Sequence, residues 1–244
     1  MMHSVAEIAA ALGARFAGDG TLAVGGAAEP ANAAVDQIAL AMSPKFADAL
    51  SDGAARVALL WPDADWQALG LEAAIFVSHG KLAMAGITEL MDPGPDIAPG
   101  IHATAHIAEG AQIGADCAIG PFAVIGTGAR IGTRARIDAH VTVAAGAQVG
   151  DDVLLHSGVR LCGAARLGDR VIVHPNAVIG ADGFSFVTTE PSSVERVRAA
   201  LGDENEGRAQ KWQRVHSLGL VEIGDDVEVG ANANIDRGTI RATR

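Results

Sequence analysis

Tyrosine is absent from the 244 residues, and with six Phe and three Trp the aromatic content is only 4%. That excludes a core built on large rings, so burial must come from aliphatic side chains and alanine. Cysteine is nearly absent as well. Cys117 and Cys162 share no metal-type spacing and are too few for a disulfide framework, so they read as unpaired thiols of a reducing compartment. No apolar run approaches the roughly 20 residues that cross a bilayer. The opening MMHSVAEIAAALGARFAGDG lacks the basic and apolar regions of a secretory signal. A cytoplasmic protein without a transmembrane segment is expected. Basic residues are scarce: 18 Lys and Arg stand against 29 Asp and Glu, a net charge of −11, with no long basic block. This argues against nucleic acid as the main partner, though a local basic patch can still dock an acidic carrier.

What the chain has in quantity is a six-residue rhythm. From Ile101 to Ile179 an Ile, Leu or Val returns at every sixth position without a break, through Ile107, Ile113, Ile119, Ile125, Ile131, Ile137, Val143, Val149, Leu155, Leu161, Leu167 and Val173. Four residues after each comes a small or β-branched side chain, such as Ala105, Ala111, Cys117, Ala123, Val141 or Val159. Six fits neither a 3.6-residue helix nor a plain alternating strand; it marks a hexapeptide β-helix. The small residue of one hexad lies two positions before the aliphatic of the next, so both point inward on one strand face. Three hexads make a triangular coil of about 18 residues, and coils stack at the strand spacing of roughly 4.8 Å. Glycines such as Gly114, Gly120, Gly126, Gly132, Gly150 and Gly168 follow the aliphatic and are expected where the chain turns.

Residues 1–95 do not share the rhythm and read as a small α/β domain. Ser4 and Glu7 form a capping box for a helix to about Leu12, stopped by Gly13. Strands are expected at Arg15–Ala17, Leu22–Val24, Asp36–Met42, Arg56–Leu60 and Ala73–Val77, and helices at Ser43–Leu50, Asp63–Leu69 and Lys81–Met91. The three prolines of MDPGPDIAPG close this domain. Residues 96–244 form the β-helix, interrupted at about 184–218 by an insertion. Within it Ser192 and Glu195 suggest a helix ending at Gly202, followed by the solvated loop GDENEGRAQK, with Trp212 as an anchor onto the prism. Hexads resume at Ile223, Val229 and Ile235, with Val227, Ala233 and Thr239 inward. The outward faces carry Ala, Val and His where an isolated subunit would favour charge, so a homotrimer is expected.

Two places can carry chemistry. Residues one after the aliphatic and 18 apart stack on one corner, giving the column His102, Gly120, Asp138, His156 and His174. It reads as a subunit-interface column, with a substrate or carrier contact, a proton-transfer site or a metal site as alternatives; a third metal ligand is not evident. His102 and His106 read as part of a polar turn. Asp182 and Phe184, where the insertion leaves the prism, are placed to wall a ligand groove, because loops on a rigid scaffold often carry function.

SPKF at 43–46, the hexads, IGADGFSF at 179–186, the Trp212-bearing insertion and IGDDVEVGANANIDRGTI at 223–240 together resemble the UDP-3-O-(3-hydroxyacyl)glucosamine N-acyltransferases of lipid A biosynthesis. The resemblance covers nearly the whole chain. It implies a mixed fold, a small N-terminal uridine-binding α/β domain followed by a left-handed parallel β-helix. It also implies a trimer and transfer of a 3-hydroxyacyl chain from acyl carrier protein to the 2-amino group of UDP-3-O-acyl-glucosamine, with no metal or redox cofactor. The substrate-binding residues it implies are Leu40, Ser43, Lys45 and Phe46 in the first domain and Asp182 and Phe184 in the second. Where the family has an aromatic, an Asn and a second aromatic, this chain has Leu40, Ser43 and Phe46, so one aromatic plate is kept. The family's general-base His falls in a hexad beyond Arg244, so residues 1–244 alone are expected to bind nucleotide without forming the amide. The alternatives are another hexapeptide sugar-nucleotide acyl- or acetyltransferase, and a β-helical protein that binds without turnover.

Overall fold

The computed structural model of the protein describes residues 2–163, 165–190, 198–199 and 211–244. Two compact units emerge, Met1–Gly94 and Pro95–Arg244. The helix expected over Ser192–Leu201 and most of the loop after it lie outside the described residues.

In the first unit the Ser4 hydroxyl accepts the Glu7 N–H while the Glu7 carboxylate accepts the Ser4 N–H, so the capping box starts the helix Val5–Ala11. A five-stranded sheet runs in the order Arg15–Gly18, Ala73–Phe76, Val57–Leu60, Gln37–Ala41, Gly26–Ala28. All its pairings are parallel except that of Arg15–Gly18. The central strands are apolar on both faces because each face is covered. Ile38, Leu59 and Ile75 pack under the helices Val5–Ala11 and Gly80–Met91, and Leu60, Ala74 and Phe76 pack on the opposite face.

Two helices expected from the sequence do not form. Ser43–Leu50 becomes two short 3-10 turns, Pro44–Phe46 and Asp48–Asp52, and the Ser43 side chain makes no capping bond. Without that cap the first turn stays 3-10, with the Phe46 N–H bonded to the Ser43 carbonyl three residues back. Asp63–Leu69 forms turns in which the Asp65 carboxylate accepts the Ala68 N–H, the local bonding by which Asp competes with a helix. The last helix begins at Gly80, one residue earlier than expected, and is capped by His79.

The second unit is a left-handed parallel β-helix. Up to the insertion its three sheets pair strands 18 residues apart in register, as in Ile119 with Ile137 and Ile125 with Val143, and across the insertion the separation is 56 residues, as in Val173 with Val229. Six strands stack in two of the sheets and five in the third. The recurring aliphatics and their small partners form one continuous core, with Ile119, Ile125, Ile137, Leu155 and Ile179 inaccessible to solvent. Val227 and Thr239 depart from the expected inward set; Val227, on the last coil, is 37% exposed. The register shifts between Ile179 and Ala181, and the strand Asn234–Arg237 follows that shift, which leaves Thr239 exposed.

The glycines after the aliphatics have a role different from the expected one. The left-handed turn residue is the third after each aliphatic, and among the described residues nine non-glycine side chains occupy it, from Asp116 (φ +58°) to Asn232 (φ +57°). The glycine instead admits the neighbouring coil. A methyl group at Gly132 would lie 2.4 Å from the Gly150 carbonyl oxygen and 2.5 Å from Asp151 Oδ1.

Gly132→Ala should therefore destabilise the β-helix by about 1–3 kcal/mol through overpacking. Gly26→Ala, which meets only Gln37 side-chain atoms at 3.5 Å or more, should be tolerated. Urea unfolding of the two variants checks this; equal midpoints would remove close coil approach as the reason for the glycine.

Candidate functional site

Parallel strands leave the first sheet side by side at their carboxyl ends, where ligands of open α/β sheets commonly bind. Ala41 pairs with Leu60 and Leu60 with Phe76, so Met42–Ser43, Trp61–Pro62 and Val77–His79 emerge together. Leu40 is half-buried and packs toward the helices. Ser43 is half-buried, and its carbonyl accepts the Phe46 N–H at 3.0 Å. Phe46 is 40% exposed, with Lys45 Nζ 4.7 Å from its ring centroid. A methyl group at Gly80 would lie 3.5 Å from Met42 Cβ, so the connection bearing Ser43 and the one bearing His79 touch. Arg15 lies with its guanidinium 3.8 Å over the Phe76 ring and donates to the Pro62 carbonyl. Sequence reasoning missed His79; its position two residues beyond a strand end, before an apolar helix, was the available signal.

Beside this edge lies a cleft of 370 Å³ between Ala11–Ala14 and the segment Phe76–Glu89. The size suits a small molecule. Gly86 closes its floor, since a methyl group there would lie 2.6 Å from Leu12 Cδ2.

In the β-helix, the column of histidines forms as expected at one corner. The His156 and His174 rings stack with centroids 5.1 Å apart and planes 9° apart. His174 Nε2 lies 2.5 Å from Glu228 Oε1. Asp138 accepts the Ala139 N–H and the Ser157 hydroxyl. A second stack, unforeseen from the sequence, joins Phe122 and His140 at 5.1 Å. Among the described residues no three His, Cys, Asp or Glu side chains gather to hold a metal ion.

At the base of the insertion, Asp182 is the hub. Arg237 Nε and Nη2 lie 2.7 and 2.5 Å from its Oδ1, and Arg214 Nη2 lies 3.3 Å from its Oδ2. The hydrogen bond from Arg237 holds the Asp182 carboxyl below the ordinary carboxylate value, and the charges of Arg237 and Arg214 add to it. Sequence periodicity could not bring these residues together, because the insertion puts 55 positions between Asp182 and Arg237. The clasp joins the strand Val178–Asp182, the strand Asn234–Arg237 and the insertion hairpin, in which Phe186–Thr188 pairs with Trp212–Arg214. Phe184 is 90% exposed and meets Phe186 edge-on at 5.0 Å. Trp212 is 63% exposed and faces no prism core, so it does not anchor the loop as expected; strand pairing does. Below the hairpin, a groove of 220 Å³ is lined by Gly146, Gly163, Arg166, Leu218, Leu220 and Arg237.

The period-six coil and its in-register sheets define a hexapeptide transferase. The family model for the bacterial transferase hexapeptide (six repeats) matches residues 110–145 and 146–181. UDP-3-O-acylglucosamine N-acyltransferase from Ruegeria pomeroyi is 58% identical over 243 residues, covering 100% of this chain and 67% of that protein. The enzyme of the same name from Paracoccus denitrificans is 58% identical over 244 residues, covering 100% and 66%. That from Pseudomonas aeruginosa is 34% identical over 244 residues, covering 100% and 63%. The chain belongs to the UDP-3-O-acylglucosamine N-acyltransferase family, and it spans about two thirds of the length of these relatives. Among solved structures, a GDP-perosamine N-acetyltransferase from Caulobacter crescentus aligns with 98% of this chain and 86% of its own at 18% identity. Its TM-score is 0.33.

The Asp182 clasp is a pH-dependent contact with a defined sign. Its lowered carboxyl contributes stability that is fully present above the unfolded-state value and is lost as pH falls through the folded value. Amide protection at Phe186–Thr188 and Asn234–Arg237, corrected for intrinsic exchange, should therefore fall on acidification below about pH 4. In Asp182→Asn it should be low already at neutral pH. Unchanged protection in that variant would show that backbone pairing alone holds the hairpin.

Proposed function

We propose that this chain is the UDP-sugar-binding and scaffold part of an N-acyltransferase of lipid A biosynthesis. The enzyme moves a 3-hydroxyacyl chain from acyl carrier protein to the 2-amino group of UDP-3-O-acyl-glucosamine. The observation that carries this reading is 58% identity over the full chain to enzymes of that name. Supporting it are the α/β unit and the β-helix that the resemblance calls for. The sheet edge bearing Leu40, Ser43, Lys45 and Phe46 is assigned to the nucleotide. The exposed Phe184–Phe186 pair is assigned to the apolar acyl chain, with Asp182 holding its hairpin in place through Arg214.

The chemistry sets what the site must supply. The amine nitrogen attacks the thioester carbonyl carbon, an amide C–N bond forms, the C–S bond breaks, and the carrier thiol leaves with a proton. The ammonium must lose a proton, and an imidazole of near-neutral pKa is suited to take it. Backbone N–H groups suit the tetrahedral oxyanion. The base is not assigned to His156, His174 or His216, none of which matches the family's general-base position. A homotrimer working in the cytoplasm accompanies this reading, supported by apolar outward side chains such as Phe122 and Val124. No helix among the described residues is long and apolar enough to cross a membrane.

Calorimetry should show that residues 1–244 bind UDP-3-O-acyl-glucosamine; binding of other sugar nucleotides alone would overturn the reading. Phe46→Ala should weaken UDP-sugar binding by about 1–2 kcal/mol through loss of its stacking face, measured by calorimetry. Light scattering should give three subunits, and a stable monomer would remove the trimer.

A further inference from the structure

We propose that Ser217 is a positioning residue for acyl-chain recognition: its hydroxyl closes the inner rung of the insertion hairpin at Gly183 and so holds the Phe184 ring where the acyl chain meets it. This rests on the acyl-transfer reading above and adds to it a residue outside the Asp182 clasp. Among the described residues Ser217 is the one buried polar side chain, 4% exposed. Its Oγ accepts the Gly183 N–H at 3.2 Å, across 34 positions of sequence. A polar side chain in such a place has a partner to satisfy, because a buried N–H left without an acceptor costs free energy.

The register of the hairpin shows what the bond does. Phe186 pairs with Arg214, Val187 with Gln213 and Thr188 with Trp212. The bond from the Val215 N–H to the Ser185 carbonyl, 2.9 Å, carries that register inward. Two residues further in, Ser217 comes opposite Gly183, and its side-chain oxygen accepts where a ladder carbonyl would. Phe184 therefore lies between two rungs. Its backbone is held on both sides, while its ring is 90% exposed and meets Phe186 edge-on. A fixed backbone under an uncovered apolar ring suits recognition, since the ordering cost falls on the fold rather than on binding. The hairpin ladder alone would not fix it, because two strands are marginal in water. The return segment supplies the rigidity. Leu218 N–H donates to the Thr239 carbonyl at 2.8 Å and Gly219 N–H to the Gly238 carbonyl at 2.9 Å. Gly219 permits that approach, since a methyl group there would lie 2.6 Å from the Gly238 carbonyl oxygen. Ser217, one residue before these bonds, passes the anchoring on to Gly183 and so to the ring beside it.

The test is calorimetry of 3-hydroxydecanoyl-pantetheine, and of pantetheine without the chain, against residues 1–244 and their variants. Ser217→Ala removes the acceptor. Ser217→Cys fills nearly the same space with a weak acceptor and carries the test if the alanine variant does not fold. Ser217→Thr keeps the hydroxyl. The parent should bind the acylated probe at least about tenfold more tightly than pantetheine. Phe184→Ala, Ser217→Ala and Ser217→Cys should each lower that preference by about threefold or more, and Ser217→Thr should keep it. The double variant Ser217→Ala/Phe184→Ala should lose no more than Phe184→Ala, because a residue that acts through the ring has nothing to act on once the ring is gone. A serine with a structural role alone would lower the melting temperature and leave the preference intact. Full acyl preference in Ser217→Ala and Ser217→Cys, a further loss in the double variant, or an unchanged preference in Phe184→Ala each overturns the proposal. A parent that binds UDP-3-O-acyl-glucosamine but does not prefer the acylated probe overturns the positioning role and leaves the functional reading standing. A parent that binds neither removes both.

Discussion

Everything in the larger unit depends on the backbone hydrogen bonds between one coil and the coil 18 residues away. Gly114 N–H to the Ile131 carbonyl, His102 N–H to the Ile119 carbonyl and Gly126 N–H to the Val143 carbonyl, each 2.8 Å, repeat the same contact on three faces. Such bonds satisfy every strand only if consecutive coils have the same length, which is why the rhythm runs unbroken from Ile101 to Ile179. They also bring backbone so near to backbone at one corner that a side chain after the aliphatic is excluded. The narrow core follows: aliphatics and alanines alternate inward, and aromatic rings are left to the surface and the insertion.

A scaffold this regular makes departures from it informative. The register shift between Ile179 and Ala181 lies where the insertion leaves, and it delivers Asp182 to a position opposite Arg237. The regular coils supply rigidity, and the interruption supplies a hairpin, the Arg214 guanidinium and two phenylalanine rings. In the first unit the same division holds. The sheet is closed on both faces, which leaves its carboxyl edge and the cleft beside one helix as its open surface.

The coil architecture was legible because its signal is periodic and local: one aliphatic per hexad, read directly from the residues, placed Ile119 over Ile137 and His156 over His174. The capping box at Ser4 and Glu7 was legible for the same reason, since a cap is a contact within four residues. What could not be read were contacts that periodicity does not encode. The Asp182–Arg237 pair spans an insertion of no fixed length. The Phe122–His140 stack depends on two side chains adopting a left-handed backbone that sequence rules reserve for glycine and asparagine. The glycines were assigned to the turn because glycine is the residue that turns most easily, whereas the constraint came from the carbonyl of the next coil. Ser43 and Pro44 suggested a helix start, but the Ser43 side chain makes no capping bond and the chain runs through two 3-10 turns instead. His79 was hidden because an exposed histidine at the start of a helix has no distinctive spacing, only a geometry.

The turn residues at one corner carry a further consequence. Asp116, Arg134, Asp152, Arg170 and Asp226 occupy successive left-handed positions there, and Arg134 and Arg170 donate to Asp152 and Asp226 at 2.6–2.8 Å. Each pair is exposed and contributes little alone. The alternation of sign nevertheless distinguishes one coil from its neighbour, which the nearly identical aliphatic core does not. If a growing prism skipped a coil, Asp116 would stack on Asp152 and Arg134 on Arg170, like charges at strand spacing. The alternation of charge at this corner therefore disfavours a register slipped by one coil, which the aliphatic core alone does not distinguish.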